Sequence, residues 1–343
     1  MAALRPDTHG GSDARGCTES ERAQLIIITG LTLAVILVAV VLLLNTAIYT
    51  ENLATRGVDA GGTEATEFRE GTAADVTGLL TRANWSAPDA TDDFEDDFDR
   101  YAETTAEHRT REGVLARIDG ELTDGTYIAQ EENRTLDPSD DYLDNSGTAG
   151  DEWTLVEDAT RTRSYVLDLQ VETELENVTQ RESDAFRLHV ESDDGDEWTL
   201  YVYQLENEDV TVMVESEDGT ESWTGDGDDV SLDLTGGTID GEREEPLAWA
   251  AGVEDDADDL TGRTTYTISY ANGDTVSGTY EFILDTPDPA AEAGPDEPLY
   301  DDPTAGSPYA VEAVYDVNLE MRHHTPELRY EDQVRVAPGE RDA

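Results

Sequence analysis

From Leu25 to Leu44 the chain carries twenty consecutive residues without a charge, most of them aliphatic. At 1.5 Å of rise per residue a helix of that length reaches about 30 Å, the thickness of a bilayer's hydrocarbon core. The uncharged stretch as a whole runs from Ala23 to Thr50. A core helix of a soluble protein is the first alternative, but such helices keep a polar face, and here Thr29 and Thr32 alone would have to supply it. A cleaved secretory signal is the second alternative; its apolar region usually spans about 7–15 residues and ends in a small-residue cleavage site, which does not follow cleanly here. The expectation is a transmembrane helix over 23–50 that stays attached, with the lipid bilayer as its partner through Leu25 to Leu44.

Flanking arginines orient such a helix weakly, because Arg5, Arg15 and Arg22 precede it and Arg56 and Arg69 follow it. The bulk of the chain decides instead: a short polar leader, 1–22, is expected in the cytoplasm and the large C-terminal part outside. At Arg22-Ala23-Gln24 a basic and a small residue stand directly before the apolar run. This resembles the processing site of archaeal type IV pilins and archaellins, and the resemblance implies cleavage on the cytoplasmic side, a mature chain beginning at Gln24, and a helix that packs with partner pilin-like surface proteins or stays as an anchor. Ile28 stands where major pilins of that family carry Glu. The stretch from Asn45 to Gly57 resembles the membrane exit of uncharacterised haloarchaeal anchored proteins, a family with no assigned activity.

Charge constrains the solvent and the partners. Against 81 acidic residues stand 21 basic ones, all Arg, for a formal net charge of −60. At physiological salt, with a Debye length of about 8 Å, such repulsion opposes compaction; at molar salt that length falls to about 3 Å. The composition therefore points to a halophilic surface protein. Disorder is the rival account of an acidic chain, and the strand patterns below oppose it. Nucleic acid is excluded as a partner because phosphate binding needs clustered cations. The single cysteine, Cys17, rules out an intrachain disulfide.

Three glycines between Gly57 and Gly62 predict a hinge just outside the membrane. Beyond it Phe68, Val76, Leu79, Leu80 and Ala83 recur at helical spacing, and after Pro88 so do Phe94, Phe98 and Tyr101. These two amphipathic helices, within 51–112, are expected to form a short stalk or to pack on the head. From residue 113 the period becomes two. Leu167, Leu169 and Val171, then Phe186, Leu188 and Val190, then Trp198, Leu200 and Val202, and then Val210, Val212 and Val214 alternate with polar residues. Asn272-Gly273 between Tyr270 and Val276 predicts a tight type I′ hairpin. Residues 286–308 hold six of the twelve prolines and are expected to be an extended linker or loop. From Val311 to Met321 runs the longest alternation, with a return strand to Val336, predicting a terminal hairpin over 309–338 that joins the 113–285 ectodomain ahead of a tail, 339–343. The expected fold is a mainly-β ectodomain, an antiparallel β-sandwich, behind the single helix and stalk.

Asn84-Trp85-Ser86, Asn133-Arg134-Thr135 and Asn177-Val178-Thr179 match the N-glycosylation pattern, and all three lie beyond the apolar helix. The acidic clusters Asp92–Asp97, Asp137–Asp144, Asp226–Asp229 and Glu254–Asp259 lack calcium-loop spacing and are expected to be solvated. His323 and His324, adjacent on one strand, should point to opposite faces, a poor arrangement for a shared metal. No nucleophile elbow, zinc signature or phosphate loop occurs, so neither a catalytic residue nor a cofactor is predicted. The functional expectation is a pilin-like or accessory surface component; a filament-independent surface binding domain is the alternative, and a surface hydrolase built from distant carboxylates a third.

Overall fold

The computed structural model describes residues 19–85, 90–138, 152–206, 208–217, 219–244, 247, 249, 250, 253, 264–286, 300 and 308–340. The Pro-rich segment lies outside them except for its two ends and Tyr300, as do the leader 1–18 and most of the acidic clusters at 137–144 and 254–259. Two compact units divide the chain, Met1–Glu64 and Ala65–Ala343.

A helix over Glu19–Asn84, α1, supplies the first unit and enters the second. Its segment Ile26–Leu44, 19 residues, is long and apolar enough to cross a membrane and is exposed on every side. The Thr32 hydroxyl donates to the Ile28 carbonyl at 2.8 Å, so it needs no water in an apolar surrounding. The glycines expected to interrupt the helix are themselves helical: α1 includes Gly57, Gly61 and Gly62. Each glycine costs about 1 kcal/mol in a helix, and helical segments on both sides offset that cost, since propagation adds a hydrogen bond for each residue fixed. The boundary between the units nevertheless falls just beyond Gly62.

Within the second unit two antiparallel sheets face each other. One has eight strands in the order β10-β9-β8-β3-β12-β1-β13-β14, comprising β1 (Leu115–Thr135), β3 (Thr162–Val171), β8 (Asp229–Asp233), β9 (Thr238–Ile239), β10 (Glu242–Arg243), β12 (Val276–Leu284), β13 (Tyr309–His324) and β14 (Arg329–Val336). The other, of six, runs β2-β11-β4-β5-β6-β7, from β2 (Trp153–Ala159), β4 (Phe186–Ser192), β5 (Glu197–Gln204), β6 (Val210–Ser216), β7 (Gly219–Thr224) and β11 (Tyr266–Ala271). The inward residues of the period-two runs meet between the sheets, where Trp249 packs edge-on against Tyr165 and Trp198 at centroid distances of 5.0 and 5.4 Å. Buried hydroxyls are paired across this core: Tyr165 with Tyr270, and Thr162 with Tyr266, each at 2.7 Å.

The two amphipathic helices pack on the head. Phe68, Val76, Leu80 and Ala83 of α1, with Phe94 and Phe98 of α2 (Ala90–Arg111), bury against Ile118, Val314, Val317, Leu319, Met321 and Val336. Helical residues from Ala65 onward are therefore part of the compact β unit, which begins well before residue 113.

Two turns differ from the sequence expectation. Asn272-Gly273 does not close a hairpin: β11 and β12 belong to different sheets, and the connection is an αL residue, Asn272 (φ 55°, ψ 39°), followed by a 3-10 turn over Gly273–Thr275. Asn272 Nδ2 donates to the Ala185 carbonyl at 2.7 Å, and a Cβ at Gly273 would collide with the Leu136 carbonyl oxygen. The second difference lies in β13. The terminal hairpin forms, with Val317 opposite Val336 and His324 opposite Arg329. Against β1, however, Thr123 pairs with Asp316 and Asp124 with Val314, leaving Tyr315 as the extra residue of a β-bulge. Val311, Ala313 and Tyr315 consequently pack in one cluster, whereas Val317, Leu319 and Met321 pack under the helices in another.

Candidate functional site

The outer face of the six-stranded sheet carries a groove of about 460 Å³. It exists because β4, β5 and β6 alternate strictly: Leu188, Leu200 and Val214 enter the core, which turns His189, Thr199 and Glu215 outward. Register aligns these side chains into one polar row. Thr154 of β2 pairs with Ser269 of β11, Ser269 with His189, His189 with Thr199, and Thr199 with Glu215. His189 Nδ1 lies 2.9 Å from the Thr199 hydroxyl, while its Nε2 makes only a 3.9 Å approach to Glu191.

Two ion pairs bound the groove. Arg187 Nη2 reaches Glu152 at 2.9 Å, and Arg181 Nη2 reaches Glu215 at 2.5 Å. Arg181 belongs to α3 (Arg181–Asp184), a single turn in the crossover from β3 to β4. Burial pulls the Arg181 guanidinium down, but the Glu215 hydrogen bond and charge outweigh it and hold it above the ordinary value. Tyr201, covered by Arg181 at 5.8 Å, is buried beside Leu175, Ala185 and Tyr203, and that burial raises its phenol. The arrangement offers donors and acceptors side by side at a concave surface.

A second charged cluster is built differently. Arg161, Arg163 and Arg335 surround the Tyr315 ring at 4.6, 5.6 and 5.9 Å. Asp316, 1 % exposed, accepts from Arg161 at 3.0 Å, Arg335 at 2.5 Å and Thr123 at 2.7 Å. Glu340 near the C-terminus accepts from Tyr315 at 2.8 Å and from both terminal nitrogens of Arg335. Arg163 donates to the carbonyls of Pro338 and Val314 at 2.7 and 3.0 Å; burial pushes its guanidinium down, and it remains charged at neutral pH. This cluster is buried and internally paired, so it fastens the C-terminal segment to β3 and β13.

The sequons separate on structural grounds. Asn84 is corrected as an acceptor: it is 1 % exposed, its Nδ2 donates to the Val314 carbonyl at 2.9 Å, and its Oδ1 accepts from the Val314 N–H at 2.9 Å. The nitrogen that would carry a glycan is buried against a strand. Asn133 is exposed where β1 loses register between Gln130 and Arg134. Asn177 is also exposed; its Oδ1 accepts from the Thr179 N–H at 3.1 Å, capping a 3-10 turn. Arg22, Ala23 and Gln24 lie on α1, with side chains outside the described residues.

His323 is buried, 5.6 Å from the Phe68 ring, and His324 is exposed. In the cluster at 92–97, Asp92, Asp93, Glu95 and Asp96 are exposed, and Asp97 pairs with Arg82 and with Arg100, the latter at 2.6 Å. No group of three or more metal-ligating side chains comes together among the described residues.

Sequence reasoning identified the alternation that builds the groove but not the groove itself, because which outward residues share a row depends on strand register. Residues 19–144 match a family described as "Family of unknown function (DUF7261)". The match takes in α1, α2 and β1 and ends before the groove residues. No curated protein and no solved structure matches the chain.

Proposed function

We propose that this chain is a membrane-anchored, salt-adapted surface protein whose β-sandwich is an external binding module. The observation that carries the reading is the Ile26–Leu44 segment, apolar and exposed around its whole circumference, in a chain whose compact β unit follows it. The apolar segment sits in the bilayer, the leader faces the cytoplasm, and the sandwich with its groove faces outward. The surplus of carboxylates, at a net charge of −60, supports a working solvent of high ionic strength.

Cys17, the sole thiol, tests the topology. A membrane-impermeant maleimide should leave intact cells unlabelled and should modify the protein after denaturing lysis, while external protease should shave the head from intact cells. Labelling of Cys17 on intact cells would reverse the orientation and overturn the reading.

A second reading is favoured by Arg22-Ala23-Gln24 directly before the apolar run: the chain is processed like a pilin and its helix packs with those of partner surface proteins. An N-terminal peptide beginning at Gln24, together with co-isolation with pilins from membranes, is the expected result. A retained leader leaves the simple anchor.

A further inference from the structure

We propose that the groove on the six-stranded sheet binds a neutral, hydroxyl-rich oligosaccharide laid across the strands. The inference rests on the head being an external binding module and adds the chemistry of what it binds.

Three observations carry it. The first is the row His189, Thr199 and Glu215, one groove residue from each of three neighbouring strands; Ser269 and Thr154 continue the row on β11 and β2 beyond the groove, with their hydroxyls 3.4 Å apart. Neighbouring strands lie about 4.8 Å apart, close to the length of one sugar unit along a glycan, so a chain crossing β4, β5 and β6 meets a polar group at each unit. The second is the kind of group. Hydroxyls and imidazole both donate and accept, as sugar hydroxyls do, and each Arg–Glu pair sets donors beside acceptors, which suits a pair of adjacent hydroxyls. His189 Nε2, with only its long approach to Glu191, is available to a ligand. The volume of about 460 Å³ lies within the usual range for small-ligand sites, about 300–1,000 Å³.

The third observation concerns charge. Glu152, Glu197, Glu215 and Glu217 line the groove, so anions such as phosphate or sulfated chains are repelled there as they are elsewhere on the chain. Cations are attracted to every acidic surface of this protein, and nothing selects this groove for them. What distinguishes it from the rest of the surface is the hydroxyl and imidazole row flanked by paired arginines, which recognises a neutral polar ligand. Tyr201 is buried and offers no stacking platform, so hydrogen bonds carry the affinity and binding is weak.

The test is titration of the full chain, in detergent micelles at molar salt, with maltohexaose, cellohexaose and mannohexaose, with a hyaluronan hexasaccharide and pentalysine as the charged comparisons. At least one neutral hexasaccharide should bind with Kd below about 1 mM and should protect amides of β4, β5 and β6 from hydrogen exchange. Thr199→Val and His189→Ala should each weaken that binding about tenfold with little change in Tm. Failure of all three neutral glycans to bind, preference for hyaluronan or pentalysine, protection confined to other strands, or normal binding by both folded variants would overturn the inference. If one variant fails to fold, the other variant and the wild-type exchange footprint still decide. Absence of glycan binding in a head that protease shaves from intact cells would sink this inference and leave the surface-anchor reading in place.

Discussion

The side-chain amide of Asn84 pairs with the backbone of Val314 as a neighbouring strand would, donating to its carbonyl and accepting from its N–H, each at 2.9 Å. The last residue of α1 thereby satisfies the strand where β13 leaves register with β1. Asn84→Ala leaves the buried Val314 N–H unpaired while its carbonyl keeps the Arg163 guanidinium at 3.0 Å, a cost of about 1–3 kcal/mol. Thermal melting should report that loss, and glycopeptide mass spectrometry should find Asn84 unmodified. A glycan on Asn84 in folded protein would contradict the assignment.

The helices cover one end of the eight-stranded sheet, so the smallest stable fragment starts near Ala65. A fragment from residue 65 should melt cooperatively at molar salt and lose its near-UV dichroism on dilution, as the screening of its charge is removed. One starting at residue 113 bares Ile118, Val317, Leu319 and Met321 and should aggregate even at high salt. Equal melting of the two fragments would show that the helices contribute nothing to the head.

Asp316 is the carboxylate that Arg161 and Arg335 share. Asp316→Ala removes one carboxylate from each cation, Arg161 keeping Asp285 and Arg335 keeping Glu340, and the expected destabilisation is about 1–3 kcal/mol. Glu340→Gln, at the edge of the same cluster, should cost less. The double variant should depart from additivity by about 0.5–3 kcal/mol, measured by denaturant unfolding at fixed salt.

Burial raises the phenols of Tyr165, Tyr270 and Tyr280 well above their ordinary value of about 10. The folded state therefore holds these protons more tightly than the unfolded one. The stability they contribute is intact below pH of about 10 and is lost as pH rises beyond it. In an alkaline titration their phenolate absorbance should appear in one cooperative step that coincides with loss of the near-UV signal. Smooth ionisation of all 14 tyrosines with the fold retained would exclude that burial.

Much of the fold was legible because its signals are local. Uniform apolarity from Leu25 to Leu44 marks a helix long and apolar enough to cross a membrane, and alternation at Leu188, Val190, Trp198 and Leu200 dictates which side chains share a face. Phe68, Val76 and Leu80 marked a helix face in the same way. These patterns depend on the geometry of a few consecutive residues and on where water is excluded, so the sequence by itself determined the apolar span, the helices and the strands.

Pairing was a different matter, because it depends on which distant surfaces bury each other. Asn272-Gly273 has the composition of a hairpin turn, yet Tyr270 and Val276 enter opposite sheets and both bury in the core between them. The run from Val311 to Met321 has one unbroken period, yet the bulge at Tyr315 moves its second half to the other face, under α1 and α2. Asn84, part of an N-glycosylation pattern in the sequence, became a buried clasp through a strand 230 positions away. The groove row from His189 to Glu215 likewise comes into being only when three strands take up one register. A one-residue slip in that register would send every one of its side chains to the opposite face, and tertiary packing of the opposing apolar face is what prevents it.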